Sequence, residues 1–538
     1  MRLKKTFFGA SLCCGVLALA VSVVVAGSAP SKNLTKMQQL GKELFFDKIS
    51  QPPWMDCSTC HGEAFGWTGP NSGLNVQGGV YRGAVPTRFG DRKPPSAAYS
   101  TYSPVFHYDE VAGEFVGGML WDGRATGERL GSPAAEQAIG PWLNPVEQNM
   151  PSNQSVCDEV AASWYAGLFE EVWGPGSLDC SEMGVDATYD KFGLSIAAYE
   201  ASREVSPFSS KYDAYWTDCL LAGNDPEACG RAEGDKAALD PAGILTPLEF
   251  EGLIEFGEYC AGCHVSDQAG PNGVPPLFTD FRFDNIGVPR NPDNPFYGMD
   301  DEYLDDGTPI NPLGEDFVDY GLGGFLRRRP EWAAMAPMND GKFKVPTVRN
   351  VAKRRGSSPK AYMHNGVFKS LEEVVHFYNT RDVASENWPP PEVAENVNRE
   401  LFAGKPMGNF ELNAHAEAAI VAFLGTLSDG FVMRPKSGDP SIDAAPAKVV
   451  LGPNSPNPFN PQTKIHFSLA GPMEVKLAIY NLNGRLVTIV ANRSFGPGEH
   501  AVLWRGQDEQ GRQVPSGIYV YRIEAGGFTA SQKMVLLK

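Results

Sequence analysis

The pattern CxxCH occurs twice, as Cys57, Cys60 and His61 in WMDCSTCHGEAFGW and as Cys260, Cys263 and His264 in EYCAGCHVSD. Two thiols three residues apart lie on one side of a single helical turn. Both can form thioethers to the vinyl groups of one porphyrin, and the adjacent imidazole is then held beneath the ring, aimed at its iron. Composition alone yields roughly 0.003 such matches in a chain of this length, against two found. The spacing also suits Zn²⁺, but a four-cysteine zinc site needs no histidine directly after each pair. Both motifs are read as attachment points for c-type haem, two per chain. A haem fixed by one histidine keeps a sixth position, and what fills it decides between electron transfer and catalysis.

Each motif follows a helical pattern. In SKNLTKMQQLGKELFFDK, Leu34, Met37, Leu44 and Phe45 fall near one face. In TPLEFEGLIEFGEYC, Thr246 is an N-cap, Pro247 the first helical residue and Glu249 the capping-box acid. Further helical patterns cover 158–173, 190–205, 371–379 and 414–427, separated by Gly- and Pro-rich connections such as GVPRNPDNPFYG. The fold class expected is mainly α, two haem-bearing halves of one repeated design with long loops. After the polar, Pro-bearing stretch MRPKSGDPSIDAAPAKV come alternating runs, KIHFSLA, EVKLAIYNL, HAVLWRG and GIYVYRIEA, broken by turn signals. They predict a small C-terminal β-sandwich of the Ig-like kind.

The start, MRLKKTFFGASLCCGVLALAVSVVVAGSAP, has the basic, apolar and small-residue layout of a signal peptide over 1–28, and no later stretch is apolar for long enough to span a membrane. The chain is expected to be exported, with no membrane span once cleaved. Its formal net charge of −18 becomes −21 without the three basic residues of the leader. So acidic a surface argues against nucleic acid and suits a small or basic partner. Cys157, Cys180, Cys219 and Cys229 remain as an even set in an oxidising compartment, and sequence proximity pairs Cys157 with Cys180 and Cys219 with Cys229.

Longer segments carry a resemblance. LGKELFFDK, GGMLWDGRATG, EQAIGPWLNPVEQNM and GKFKVPTVRNVAKRRGSSPKAYMHNGVFKSLEEVVHFYN occur in this order. Over residues 34–432 the chain resembles the bacterial di-haem cytochrome c peroxidases and the related MauG-type enzymes. The resemblance implies a cytochrome c-like domain over 29–240 with the peroxidatic haem, and a second over 241–432 with an electron-transfer haem. It implies that Glu147 is the distal acid, with Gln137 and Pro141 in the same pocket, and that Trp121 lies between the haems. Splitting a peroxide O–O bond requires a proton moved from the inner to the outer oxygen, which a carboxylate can do. Without the resemblance, Glu147 reads as a solvated loop carboxylate and Trp121 as a core aromatic.

Some members of the family cap the first haem with a histidine from the loop before WDGR. No histidine lies between His61 and His107 here, so the first haem is expected to be open at rest, with His107 the one nearby residue able to contradict this. For the second haem, the position of the family's methionine is Tyr378, as in MauG-type enzymes. Leu371, Val374 and Tyr378 share one helical face behind a Ser370–Glu373 capping box, with His376 directed elsewhere. Met363 and His364 are the alternative ligands. The family also binds Ca²⁺ between its haems, but the matching residue here is Lys93, which offers no oxygen. Calcium stays open on that ground.

VLGPNSPNPFNPQTKIHFSL, WRGQDEQGRQVPSGIYVYRI and the terminal KMVLLK resemble the sorting domain of type IX secretion. That implies a linker over 433–449, a sorting domain over 450–538, contact with secretion machinery, and a cell-surface or extracellular destination reached through the periplasm. A structural or adhesive appendage is the other reading of such a tail. The function expected is reduction of hydrogen peroxide with electrons from a small donor such as a c-type cytochrome. The alternatives are peroxide-driven oxidation of a protein or small molecule at a distance, as in MauG, and a non-catalytic surface electron carrier.

Overall fold

The computed structural model describes residues 34–432 and 449–536, except 305, 458, 470, 482–485, 497 and 526–527. The leader expected at 1–28 lies outside these residues, as does the linker except for Val449, which opens a strand. Residues 34–432 belong to one compact unit and 449–536 to another.

The first unit is built mainly from helices. They include α1 (Lys36–Phe46), α2 (Pro133–Leu143), α3 (Asn153–Ala162), α4 (Ala166–Trp173), α5 (Val185–Glu200), α6 (Lys211–Leu221), α7 (Pro247–Tyr259), α8 (Leu371–Thr380) and α9 (Ala414–Gly425). Two hydrophobic cores organise them. One gathers Leu40, Leu44 and Phe45 of α1, Trp142 of α2 and Phe192 and Ile196 of α5. The other gathers Tyr212 of α6, Leu253 and Phe256 of α7, Phe377 of α8 and Phe423 of α9.

The two helices that lead to the CxxCH motifs are made alike. Each starts with a complete capping box, Thr35 with Gln38 and Thr246 with Glu249, so the first unpaired backbone N–H groups are satisfied by side chains. Six residues after the cap each has a glycine at a helix crossing. A Cβ on Gly41 would stand 1.8 Å from the Ser195 carbonyl oxygen of α5, and one on Gly252 would stand 1.9 Å from that of Ala419 in α9. Only hydrogen fits, and the backbones of each pair meet there.

The structure departs from the expected helices in several places, α6 being one that the periodicity did not predict. The helix expected over 158–173 is two, α3 and α4, because the Ser163 hydroxyl donates to the Val160 carbonyl and the backbone turns extended there. The one expected over 190–205 starts and ends five residues earlier, as α5. Helix α2, in the segment EQAIGPWLNP, contains Pro141, which cannot donate to the Gln137 carbonyl, and the helix ends two residues later at Leu143. Cys157–Cys180 and Cys219–Cys229 are disulfides, with Cα atoms 5.7 and 6.0 Å apart.

Among its described residues, the second unit has seven antiparallel strands: β1 (Val449–Ser455), β2 (Thr463–Leu469), β3 (Met473–Asn481), β4 (Leu486–Phe495), β5 (Gly498–Trp504), β6 (Gly517–Ala525) and β7 (Phe528–Leu536). They form a four-stranded sheet in the order β4-β3-β6-β7 and a three-stranded sheet in the order β5-β2-β1. Ile465, Phe467 and Leu469 of one sheet and Leu477, Ile479, Tyr521 and Ile523 of the other share a single core. Alternation along β2 is strict, as a half-buried strand requires. Among the described residues, no helix is long and apolar enough to cross a membrane.

Candidate functional site

The two motifs close the same turn. The Cys57 carbonyl accepts from the Cys60 and His61 amides at 3.1 and 2.9 Å, and the Cys260 carbonyl accepts from the Cys263 and His264 amides at 3.3 and 2.9 Å. Asp56 caps the first turn, its Oδ1 accepting from the Thr59 amide at 3.0 Å. The second begins where α7 ends, with Cys260 as its C-cap. In each motif the imidazole Nδ1 pairs with a backbone carbonyl, His61 with that of Trp67 at 3.1 Å and His264 with that of Phe278 at 3.0 Å. Such a bond fixes the ring and leaves Nε2 as the ligand atom. Burial lowers the pKa of both imidazoles, that of His61 to about 4, and raises those of all four thiols.

Each motif lines its own cavity. The four thiols are free, and among the described residues no three or more His, Cys, Asp or Glu side chains converge as a metal cluster. Paired thiols beside a neutral imidazole with one committed nitrogen, on a cavity wall, fit covalent haem and do not make a closed zinc site.

The first cavity is walled by Cys57, Cys60, His61, Trp121, Gln137, Pro141 and Glu147. The acid, glutamine and proline come from α2 and the turn after it, where the Pro141 carbonyl accepts from the Asn144 and Gln148 amides. Burial, opposed by the Arg124 charge, pushes the Glu147 carboxyl up to about 7. His107 lies elsewhere, exposed, with its Nδ1 paired to the Val105 carbonyl at 2.8 Å. The loop carrying Trp121 is tied down by Glu136, whose carboxylate accepts from the Gly127, Arg129 and Leu130 amides at 2.7–2.9 Å. Asp122, next in that loop, is bonded to Arg92 and Arg124. Against its burial, those two guanidiniums hold its carboxyl well below the ordinary range.

Trp121 also lines the second, larger cavity, together with Cys260, Cys263, His264 and Tyr378. Its indole N–H donates to the Lys93 carbonyl at 2.8 Å, and its own carbonyl accepts from the Lys344 amide at 2.8 Å. Leu371, Val374 and Tyr378 of α8 all face this cavity, while His376 pairs with Glu417 and Glu386. The α8 cap differs from the expected box. Ser370 accepts from the Glu373 amide, but the Glu373 carboxylate reaches back one residue further, to the Lys369 amide at 2.8 Å. Met363 and His364 line the same cavity. His364 stacks on Phe343 at 3.5 Å, and its Nε2 is buried without a partner.

At Lys93, which the resemblance matches to the family's calcium position, the buried ammonium donates to Thr68 Oγ1 at 2.8 Å and to the Pro94 carbonyl at 3.2 Å. A cation already occupies those oxygens, so the residues present do not fit Ca²⁺.

Sequence reasoning missed a further acid of the first cavity, Glu200. It accepts from the Ser100 hydroxyl at 2.9 Å, and burial pushes its carboxyl up to about 8. Its signal was available, since it stands four and eight residues beyond Ile196 and Phe192 on the buried stripe of α5.

The family model described as di-haem cytochrome c peroxidase matches residues 35–219, and that described as secretion system C-terminal sorting domain matches 455–537. The methylamine utilization protein MauG of Paracoccus denitrificans is 33% identical over 430 residues, which cover 76% of this chain and 94% of that protein. The cytochrome-c peroxidase IdrP2 of a Pseudomonas species is 24% identical over 423 residues, 78% of this chain and 85% of the relative. Among solved structures, the diheme peroxidase BthA from Burkholderia thailandensis superposes with a TM-score of 0.54 at 26% identity, covering 74% of this chain and 88% of that one.

Proposed function

Because the chain belongs to the di-haem cytochrome c peroxidase family, we propose that it reduces hydrogen peroxide to two molecules of water at the His61 site. Two protons are consumed, and two electrons enter through the His264 site from a small cytochrome c-like donor. A haem held at each motif would supply a redox-active iron, the one at His61 being where the oxidant reacts. The chain's own residues do the rest. The Trp67 carbonyl holds His61 in the tautomer that presents Nε2. Glu147 takes the proton of the inner peroxide oxygen and returns it to the outer one, so that the leaving oxygen departs as water. Gln137 and Pro141 shape the same wall, and Trp121, on the wall of both cavities, serves the electron route between them.

The observation that carries this reading is Glu147, a carboxyl poised near neutrality on the cavity wall that holds Cys57, Cys60 and His61. A general acid-base works best when its pKa lies near the working pH. The two hydrophobic cores support two cytochrome c-like domains, but the second core takes in Tyr212, Trp216 and Leu239, which favours a boundary before α6 over the division into 29–240 and 241–432. The shared core of the two tail sheets supports an Ig-like sandwich, delivered through the periplasm to the surface or medium by type IX machinery.

A second reading, peroxide-driven oxidation of a protein or small molecule at a distance, is favoured by Tyr378 on the wall of the second cavity. A phenolate ligand stabilises oxidised iron, which suits an oxidising centre better than a readily reduced relay. Steady-state assays separate the readings. Consumption of peroxide with reduced cytochrome c supports the first, and oxidation of a partner tyrosine or tryptophan with poor cytochrome turnover supports the second. Protein that leaves peroxide unconsumed and shows two low-spin ferric centres by EPR is an electron carrier, and both readings fall.

A further inference from the structure

The second cavity is lined by three lysines that, among the described residues, make no ion pair. Lys93 and Lys360 are only 7% and 4% exposed, and Lys344 stands beside Trp121 in the pairing of 283–284 with 343–344. Their partners are oxygens without charge. Lys93 donates to Thr68 and Pro94. Lys344 donates to the Gly117 and Phe281 carbonyls at 3.3 Å each, and Lys360 to the carbonyls of Phe65, Asn350 and Lys353 at 2.9–3.1 Å.

Among the described residues, none of the three makes an ion pair, whereas the buried guanidiniums nearby do. Arg92 is bonded to Asp122 and Asp319, and Arg349 to Asp213 at 2.9 Å. Burial lowers the pKa of all three ammoniums, that of Lys93 to about 8 and that of Lys344, which feels Asp280 from a distance, to about 7; Lys360 is further penalised by the charge of Lys93. Two neighbouring buried cations without an anion are costly unless an anion is bound with them. The haem reading above supplies one, because every porphyrin attached at a CxxCH motif brings two carboxylate side chains.

We propose that Lys93, Lys344 and Lys360 are a built-in counter-charge for the carboxylates of the porphyrin held at Cys260, Cys263 and His264. The inference rests on the haem reading. Fixed positive charge beside the cofactor stabilises its reduced form, so these lysines hold the second reduction potential up. Lys93, which also lines the first cavity, acts on both.

The test is a spectroelectrochemical titration of the purified holoprotein, wild type against Lys93→Met, Lys93→Arg and Lys360→Met, with haem per chain measured by absorbance after denaturation. The expected result is a negative shift of the second midpoint in both Met variants and a wild-type value in Lys93→Arg. The wild-type midpoints should also be indifferent to added Ca²⁺ and to EGTA. Unchanged midpoints in the Met variants, or wild-type midpoints that follow Ca²⁺, overturn the inference. Haem lost in Lys93→Met but kept in Lys93→Arg counts for it, and haem lost in both counts against it. Fewer than two haems in the wild type would instead defeat the reading beneath it.

Discussion

Glu147 and Glu200 both place a carboxyl on the wall of the first cavity, and burial raises the pKa of both, yet they invite different experiments. Glu147 follows a turn and has an acid-base task. Below about pH 7 it is protonated and cannot accept the peroxide proton. The kcat/KM for peroxide is therefore expected to rise as pH increases to about 7 and to level off above it. Glu147→Gln should abolish that inflection and lower turnover about a hundredfold; stopped-flow and steady-state pH profiles read both. Glu200 is pinned to Ser100 at the end of α5, and its effect belongs to stability. Its pKa is 4.5 when unperturbed and about 8 in the fold, so the folded chain holds one more proton between these values. The stability contributed below pH 4.5 is lost as pH rises toward 8, at up to about 1.4 kcal/mol per pH unit. Glu200→Gln should flatten the dependence of the melting temperature on pH over that window.

At the level of elements, the decisive feature is the glycine crossing that both motif-bearing helices share. Gly252→Ala gains up to about 1 kcal/mol of helix propensity but drives a methyl to within 1.9 Å of a backbone oxygen that has no rotamer to yield. Overpacking of this kind costs about 1–3 kcal/mol or more, so destabilisation wins. In Gly167→Ala of α4, whose Cβ would meet nothing within 4 Å, only the favourable term remains. Thermal unfolding should show the first variant lowered and the second equal to or above wild type. The sequence displayed the capping box at Thr246 openly, because capping depends on residues three apart, but at Ser370 only the serine half of the box formed. The Gly41 and Gly252 contacts were not legible, since each needs a partner more than 150 residues away.

At the level of the molecule, the chain divides into a helical unit with two main hydrophobic cores and a β unit with one. A chain ending at Pro435 should therefore retain two haems and peroxide turnover within about twofold, a margin set by the near-independence of separate domains. It should also fail to reach the cell surface, as fractionation would show. By itself the sequence determined the two attachment motifs, the family, the alternation that makes the tail strands and the caps that start the helices. All of these are carried by residues close together in the chain. Only the tertiary structure decided which groups share a cavity wall. Trp121 lines the cavities of two motifs about 200 residues apart, Glu200 of α5 joins Glu147 of the turn after α2, and Lys93 meets the distant Lys344 and Lys360 on the cavity wall of His264. Burial and the charges around a group set its chemistry, and both come from segments that meet only when the chain has folded.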